Sequence, residues 1–242
     1  MLTFTEPVLS EHEGVVVVRD DLLVAGTKSR FLEPLFEDAN EVVFASPCQG
    51  GGQISIAWVA RELKKEATIV CAKRRVKHPR TLQAQALGAR IIETANGRWS
   101  FVQSTAKSWA IGREHRAVVP FGLDYPDGRV RLVEIAGSLP IQPDEVWCAA
   151  GSGMLARALR ATWPKAVVHA VAVGREIAQE EIPGARIHRY PLPFNKHAPN
   201  DPPFPSDPHY DSKAWAMCQR LRRKEGVVLF WNVIGPAPEP QA

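Results

Sequence analysis

The sequence predicts an α/β protein built on mostly parallel sheet, and three observations carry that expectation. Short apolar runs rich in β-branched residues alternate with segments of helical periodicity, the pattern of strand–helix–strand units. Glycine-containing loops fall between runs and helices, where open parallel sheets place ligand sites. The composition is that of an ordinary globular chain, with 242 residues, 45% hydrophobic and 23% charged, long enough for one large or two small domains.

The strand candidates run in order Val15–Val18, Val42–Ala45, Ala67–Ala72, Arg90–Glu93, Ala117–Pro120, Glu145–Ala149, Ala166–Val173 and Val227–Val233. Helices are expected between them. Ile54–Lys65 carries Ile54, Ala57, Trp58 and Leu63 at helical spacing, and Thr81–Leu87 ends at Gly88, a common residue just past a helix. Further helices are expected at Ser100–Ala110, Val130–Ser138, Met154–Thr162 and Asp211–Lys224. More than half of the 20 prolines fall in the last quarter, from Pro183 onward, and Pro191–Pro208 is too proline-rich for a helix. That segment reads as an ordered polyproline-like cover or a flexible connection.

No run approaches the roughly 18 apolar residues that span a bilayer, and the first residues lack a basic region followed by an apolar one. The expectation is a soluble, cytoplasmic protein with no membrane partner. Cys48, Cys71, Cys148 and Cys218 form no Cys-x-x-Cys or Cys/His pair at zinc spacing, so buried reduced thiols and no metal are expected. The net charge of +4 is compatible with a nucleic-acid partner without requiring one.

Three loops are candidates for chemistry. Ala25-Gly26-Thr27-Lys28-Ser29-Arg30 follows the apolar Leu22–Val24, and a lysine opening a helix among small residues is placed to be desolvated, which favours its nucleophilic form. The same hexapeptide also reads as a solvated lysine at a helix start. Gln49, Gly50, Gly51, Gly52 and Gln53 precede a helix and offer amides to a carboxylate or phosphate, without the Gly-Lys-Ser/Thr of nucleotide hydrolases. Gly151, Ser152 and Gly153 follow Glu145–Ala149 and open another helix, an arrangement suited to a phosphate dianion or to a tight turn with no ligand. Lys73, Arg74, Arg75, Lys77, His78 and Arg80 form a basic cluster that fits a DNA backbone or a solvated loop, as do Arg222, Arg223 and Lys224. Trp58, Trp99, Trp147, Trp163, Trp215 and Trp231, with His169 and His188, read as packing residues.

Val17-Val18-Arg19-Asp20-Asp21-Leu22 followed by Gly26-Thr27-Lys28-Ser29-Arg30 resembles a motif of the tryptophan synthase β-like pyridoxal-phosphate enzymes, near aminocyclopropane-carboxylate deaminase and D-cysteine desulfhydrase. The resemblance continues through Gln49–Gln53, TIVCAKRRVKHPRTLQAQALGARII, Pro120-Phe121-Gly122, EVWCAAGSGMLARAL and VVLFWNVIG, in the family's order. It implies a compact version of that fold, two parallel-sheet three-layer α/β/α lobes: residues 30–118 as the smaller, and 1–29 with 119–242, including the Pro-rich 183–208, as the larger. It implies pyridoxal 5'-phosphate as cofactor, borne by Lys28, with Gly151, Ser152 and Gly153 on its phosphate, Asn232 near its ring nitrogen and Gln49–Gln53 facing a substrate carboxylate. It also implies a homodimer.

The match departs at Gln49-Gly50-Gly51-Gly52, where the deaminase branch has Gln-Ser-Asn-His; the serine and asparagine of that branch are missing. The chain is also shorter than typical members, which implies a more open site. HPRTLQAQALGA, PDEVWCAAGSGMLARALRATWP, AVGRE, PPFPS, YDSKAW and LFWNV are similar to a compact phage-encoded branch associated with thymidine hypermodification. That likeness implies a lyase that decarboxylates a glycyl-type modified thymine, with modified DNA or a modified nucleotide as partner, in the cytoplasm of a phage-infected cell. The rivals are a deaminase or desulfhydrase of small free amino acids, and a non-catalytic homologue that binds DNA or a protein partner.

Overall fold

The computed structural model describes residues 5–238. They form ten strands and six α-helices: β1 (Leu9–His12), β2 (Val15–Arg19), β3 (Glu41–Ala45), α1 (Gly52–Glu62), β4 (Glu66–Ala72), α2 (Pro79–Ala86), β5 (Arg90–Thr94), α3 (Trp99–Ala110), β6 (Arg116–Val119), α4 (Pro126–Gly137), β7 (Glu145–Ala150), α5 (Met154–Thr162), β8 (Val167–Ala172), β9 (Arg186–Arg189), α6 (Asp211–Leu221) and β10 (Val228–Asn232). The chain divides into two compact units, one spanning Lys28–Tyr125, the other Thr5–Thr27 with Pro126–Pro236.

The first unit carries a four-stranded parallel sheet in the order β5-β4-β3-β6. Its strands alternate in what they face. Val43, Ala45 and Val70 pack on Val102 and Ala106 of α3, whereas Phe44 points to Gly52 at the start of α1, so helices cover both faces. Glu41 enters β3 buried and fully engaged: it accepts from Thr68 Oγ1 at 2.6 Å and Trp109 Nε1 at 2.8 Å and pairs with Arg116 at 2.5 Å.

The second unit carries a six-stranded sheet in the order β1-β2-β10-β7-β8-β9, parallel except for the antiparallel β1–β2 hairpin. Trp147, Ala149, Val171 and Phe230 meet Ala214, Trp215, Met217 and Cys218 of α6 in its main core cluster. The proline-rich stretch is part of that core. Phe204 sits edge-on to Trp215, with ring centroids 4.9 Å apart, and the fully buried Lys213 donates to Pro193 O at 2.8 Å and Phe194 O at 3.2 Å. Burial lowers the Lys213 pKa, and those carbonyls with the faces of Tyr190 and Phe194 compensate its charge.

Candidate functional site

Lys28 lies in a short 3-10 helix, Thr27–Phe31, rather than at the start of an α-helix. The loop before it also differs from expectation: β2 ends at Arg19, Asp20–Leu22 is a 3-10 turn, and Leu22 and Val24 are exposed rather than an apolar strand end. What fixes the turn is polar. The buried Asp20 carboxylate accepts from Thr27 Oγ1 at 2.7 Å and Trp231 Nε1 at 3.0 Å, and Thr27 N donates to Val233 O at 2.9 Å. Thr27 is thereby held to the ends of two strands, and half-buried Lys28 is the next residue along the chain. Neither Asp20 nor Thr27 was expected to have this part, although Asp20 belongs to the motif that pointed to Lys28.

The loop from Ser46 to Gly51 joins β3 to α1 in the first unit. Gln53, expected to face a substrate, is instead completely buried and braces the loop: Nε2 donates to Pro47 O at 2.9 Å and Cys48 O at 2.8 Å, and Oε1 accepts from Thr81 Oγ1 at 3.0 Å. Both amide protons of Gln53 are spent, so it holds no ligand. Gly50 donates its amide to Pro47 O at 2.9 Å, and a Cβ there would lie 2.9 Å from Ser46 Oγ. A Cβ at Gly52 would lie 3.1 Å from the Phe44 ring. These glycines serve close packing, and the ligand-facing candidates reduce to Gln49 and the amides of Gly51 and Gly52, because Gln53 N donates to Gly50 O at 3.3 Å and Ile54 N and Ser55 N donate to Gly51 O at 3.1 and 3.3 Å.

In the second unit Gly151, Ser152 and Gly153 link β7 to α5. Gly153 caps α5 in the left-handed region at φ 82°, with Ile182 Cδ1 2.8 Å from where a Cβ would stand. Only glycine fits there. Ser152 Oγ accepts from Met154 N at 3.4 Å, which leaves its hydroxyl proton to donate outward. The Gly151 carbonyl accepts from Arg175 Nε at 2.7 Å, and the hydroxyl of half-buried Tyr210 stands beside it, 3.4 Å from where a Cβ would lie, with its pKa pushed up by desolvation. Of the three residues, Ser152 and Gly153 at the amino end of α5 keep groups that could face an anion, and Gly151 braces the turn. Arg157 and Arg175 were not anticipated. Arg157 Nη1 donates to Ser152 O at 3.3 Å and Glu181 O at 2.8 Å, and Arg175 forks onto Glu181 at 3.0 and 2.5 Å, which holds the Glu181 carboxyl at about 2. Arg175 lay in AVGRE, whose sequence gave no sign of its contact with the turn.

Asn232 does not remain available for a ring nitrogen. It is fully buried, donates both Nδ2 protons, to Asp21 Oδ1 at 2.7 Å and Pro205 O at 2.8 Å, and accepts from Ser206 Oγ at 2.9 Å. Its place is a bracket between the end of β10 and the proline-rich cover.

The basic cluster is split. Lys73, Arg74 and Arg75 are exposed on the loop after β4, and Lys77 stands 3.7 Å from Glu93, but Arg80 is buried in the first turn of α2 and presents no charge to a polyanion. His169 and His188 pack as expected, Trp147 and His169 stacking at 4.0 Å and the two imidazoles sharing a 2.8 Å hydrogen bond. All four cysteines are free and buried. Among the described residues no group of three or more metal-ligating side chains occurs, and no helix is long and apolar enough to cross a membrane.

No family model matches the chain, and no curated protein matches it. Solved structures do. A homologue of ACC deaminase superposes with a TM-score of 0.76 at 18% identity, over 91% of this chain and 84% of that one. The processed form of threonine deaminase isoform 2 from Solanum lycopersicum gives 0.70 at 14% identity, over 98% and 80%. The O-acetylserine-dependent cystathionine beta-synthase from Helicobacter pylori gives 0.65 at 16% identity, over 97% and 96%. The chain has the tryptophan synthase β-like fold.

Proposed function

We propose that this protein is a pyridoxal-phosphate-dependent lyase, with Lys28 as the residue that bears the cofactor. The observation that carries the reading is Lys28 placed directly after the Asp20–Thr27–Trp231 network, in a chain whose β7–α5 turn sets the Ser152 hydroxyl at the amino end of α5. The donor set suits the group: an amine for its aldehyde, and the Ser152 hydroxyl and amides of Ser152 and Gly153 for its phosphate dianion. When bound, pyridoxal phosphate supplies an electron sink for a bond broken at the substrate's α-carbon.

The finer proposal is decarboxylation of an amino-acid-modified, glycyl-type thymine in DNA or in a nucleotide. Gln49 and the amides of Gly51 and Gly52 would orient the carboxylate, and Lys28 would return a proton to the carbon that has lost carbon dioxide. No side chain need abstract an α-proton, so the glycines at positions 50 to 52 are compatible with this chemistry. Lys73, Arg74 and Arg75, exposed together, would follow the phosphates of a polymer substrate. The resemblance to the phage branch supports the substrate; the fold supports the lyase class. A homodimer is part of the same proposal.

The second reading is an ammonia-releasing or sulfide-releasing enzyme on a free amino acid, favoured by the names of two of the similar structures, an ACC deaminase homologue and a threonine deaminase. One experiment separates the two. The protein with pyridoxal phosphate is incubated with DNA carrying the modified thymine, and its nucleosides are weighed. A nucleoside lighter by one carbon dioxide is the expected product; an unchanged nucleoside with ammonia or sulfide release from free amino acids establishes the second reading.

A further inference from the structure

Cys48 and Cys71 stand apart from the other two cysteines. Ser46 N donates to Val70 O at 2.9 Å, which carries the loop out of β3 alongside the end of β4, where Cys71 lies. The Gln53 amide pins the Cys48 carbonyl at 2.8 Å, so the thiol's direction is set by the backbone. In its protonated form Cys48 donates to Ala72 O at 3.1 Å, which sets its Sγ against the residue that follows Cys71 in β4. Cys48 is 5% exposed and Cys71 1%. The arrangement is asymmetric. The Cys71 thiol and the Arg74 guanidinium favour a Cys48 thiolate and lower its pKa, while the neighbouring Cys48 and burial push Cys71 up. Cys148 and Cys218, in the other unit, are fully buried, and desolvation raises both.

We infer that Cys48 and Cys71 form a dithiol modification site at which two-electron oxidants of the peroxide class make an intramolecular disulfide. The Cys48 thiolate attacks the peroxide: an S–O bond forms, the O–O bond breaks, and the departing hydroxide takes a proton to become water. Cys71 then gives up its proton and attacks Cys48 Sγ; the S–S bond forms, the S–O bond breaks, and a second water leaves. The two sulfurs together lose two electrons, and one peroxide becomes two waters. The bridge ties the loop bearing Gln49 and Gly50 to β4, independently of the activity proposed above.

The full-length protein is treated with hydrogen peroxide, denatured, alkylated and weighed, and its peptides are mapped. Alkylated thiols fall from four to two, Cys48 and Cys71 peptides appear linked, and Cys148 and Cys218 are labelled in full. In Cys71→Ser the bridge is gone and dimedone captures a sulfenic acid at Cys48. Four labelled thiols in the peroxide-treated native chain, a bridge to Cys148 or Cys218, or a bridge only between two molecules would overturn the inference, and the mapping of the unsubstituted chain decides it even if Cys71→Ser does not fold.

Discussion

Replacing Gly153 by alanine tests whether the β7–α5 turn is shaped as described. At φ 82° an L-residue pays the left-handed penalty of about 1–2 kcal/mol. The added methyl would also meet Ile182 Cδ1 at 2.8 Å, Ile182 Cγ1 at 2.9 Å and Arg157 Nη1 at 3.1 Å, and Ile182 is itself fully buried, so relief requires repacking at about 1–3 kcal/mol. The combined destabilisation is about 2–5 kcal/mol. Gly88 supplies the comparison, because it too has a positive φ, 97°, but nothing lies within 4 Å of its missing Cβ. Gly88→Ala therefore carries the backbone penalty alone, about 1–2 kcal/mol. Urea titration of both variants against the parent, followed by tryptophan fluorescence, reads the difference. A Gly153→Ala loss no larger than that of Gly88→Ala would refute the crowding argument and, with it, the claim that the turn is rigidly formed.

Gln53→Ala removes three hydrogen bonds, taking a side-chain donor from the Pro47 and Cys48 carbonyls and the acceptor from the buried Thr81 hydroxyl, so thermal or urea unfolding should show a loss of about 2–3 kcal/mol; an unchanged midpoint would return Gln53 to the ligand-facing set. His169 is held neutral, its pKa lowered to about 4 by burial, by His188 and by Arg186. Its folded pKa lies below the unfolded value near 6.5, so its contribution is intact above pH 6.5 and is lost as pH falls toward 4, up to about 3 kcal/mol, and His169→Phe should flatten that acid limb. Lys213→Met takes the charged donor from the Pro193 and Phe194 carbonyls, which keep only Lys196 N and His209 Nδ1, and limited proteolysis should then cut within residues 191–208 about tenfold faster, as local opening becomes easier by about 1.4 kcal/mol. If the protein binds DNA through Lys73, Arg74 and Arg75, neutralising all three should lower the slope of log affinity against log salt by up to about 2.7; an unchanged slope would place the DNA contact elsewhere.

Strands buried on both faces were the most legible part of the fold. β3 (EVVFA) and β7 (EVWCAA) are buried along their whole length, so their apolar runs stand out against neighbouring helices. The strands missed were the two edges of the larger sheet. β1 (LSEH) and β9 (RIHR) have one neighbour each and mixed, half-exposed residues, the polar edges that discourage further pairing but erase the apolar signal. Helix ends shifted for local reasons: α2 and α4 begin at Pro79 and Pro126, where a proline at the first helical position costs no hydrogen bond. At the candidate site, the sequence marked the loops that join β3 to α1 and β7 to α5 but not the division of labour within them. Gly and Gln residues read as ligand-facing proved to be packing and bracing groups at Gly50, Gly52 and Gln53, because backbone carbonyls with no regular partner must be satisfied from somewhere, and no pattern in the chain announces which side chain does it. Asn232 and Arg80 were misread in the same way, as outward groups that the fold turns inward.

The account depends most on Lys28. Titrating the protein with pyridoxal 5'-phosphate and recording its spectrum tests this directly, since a lysine-bound cofactor absorbs at about 410–430 nm and the free aldehyde near 390 nm. The account predicts that band in the parent protein, its reduction by borohydride to a stable adduct mapped to Lys28, and its loss in Lys28→Ala. A band that persists in a folded Lys28→Ala protein, or an adduct mapped to another lysine, would contradict it.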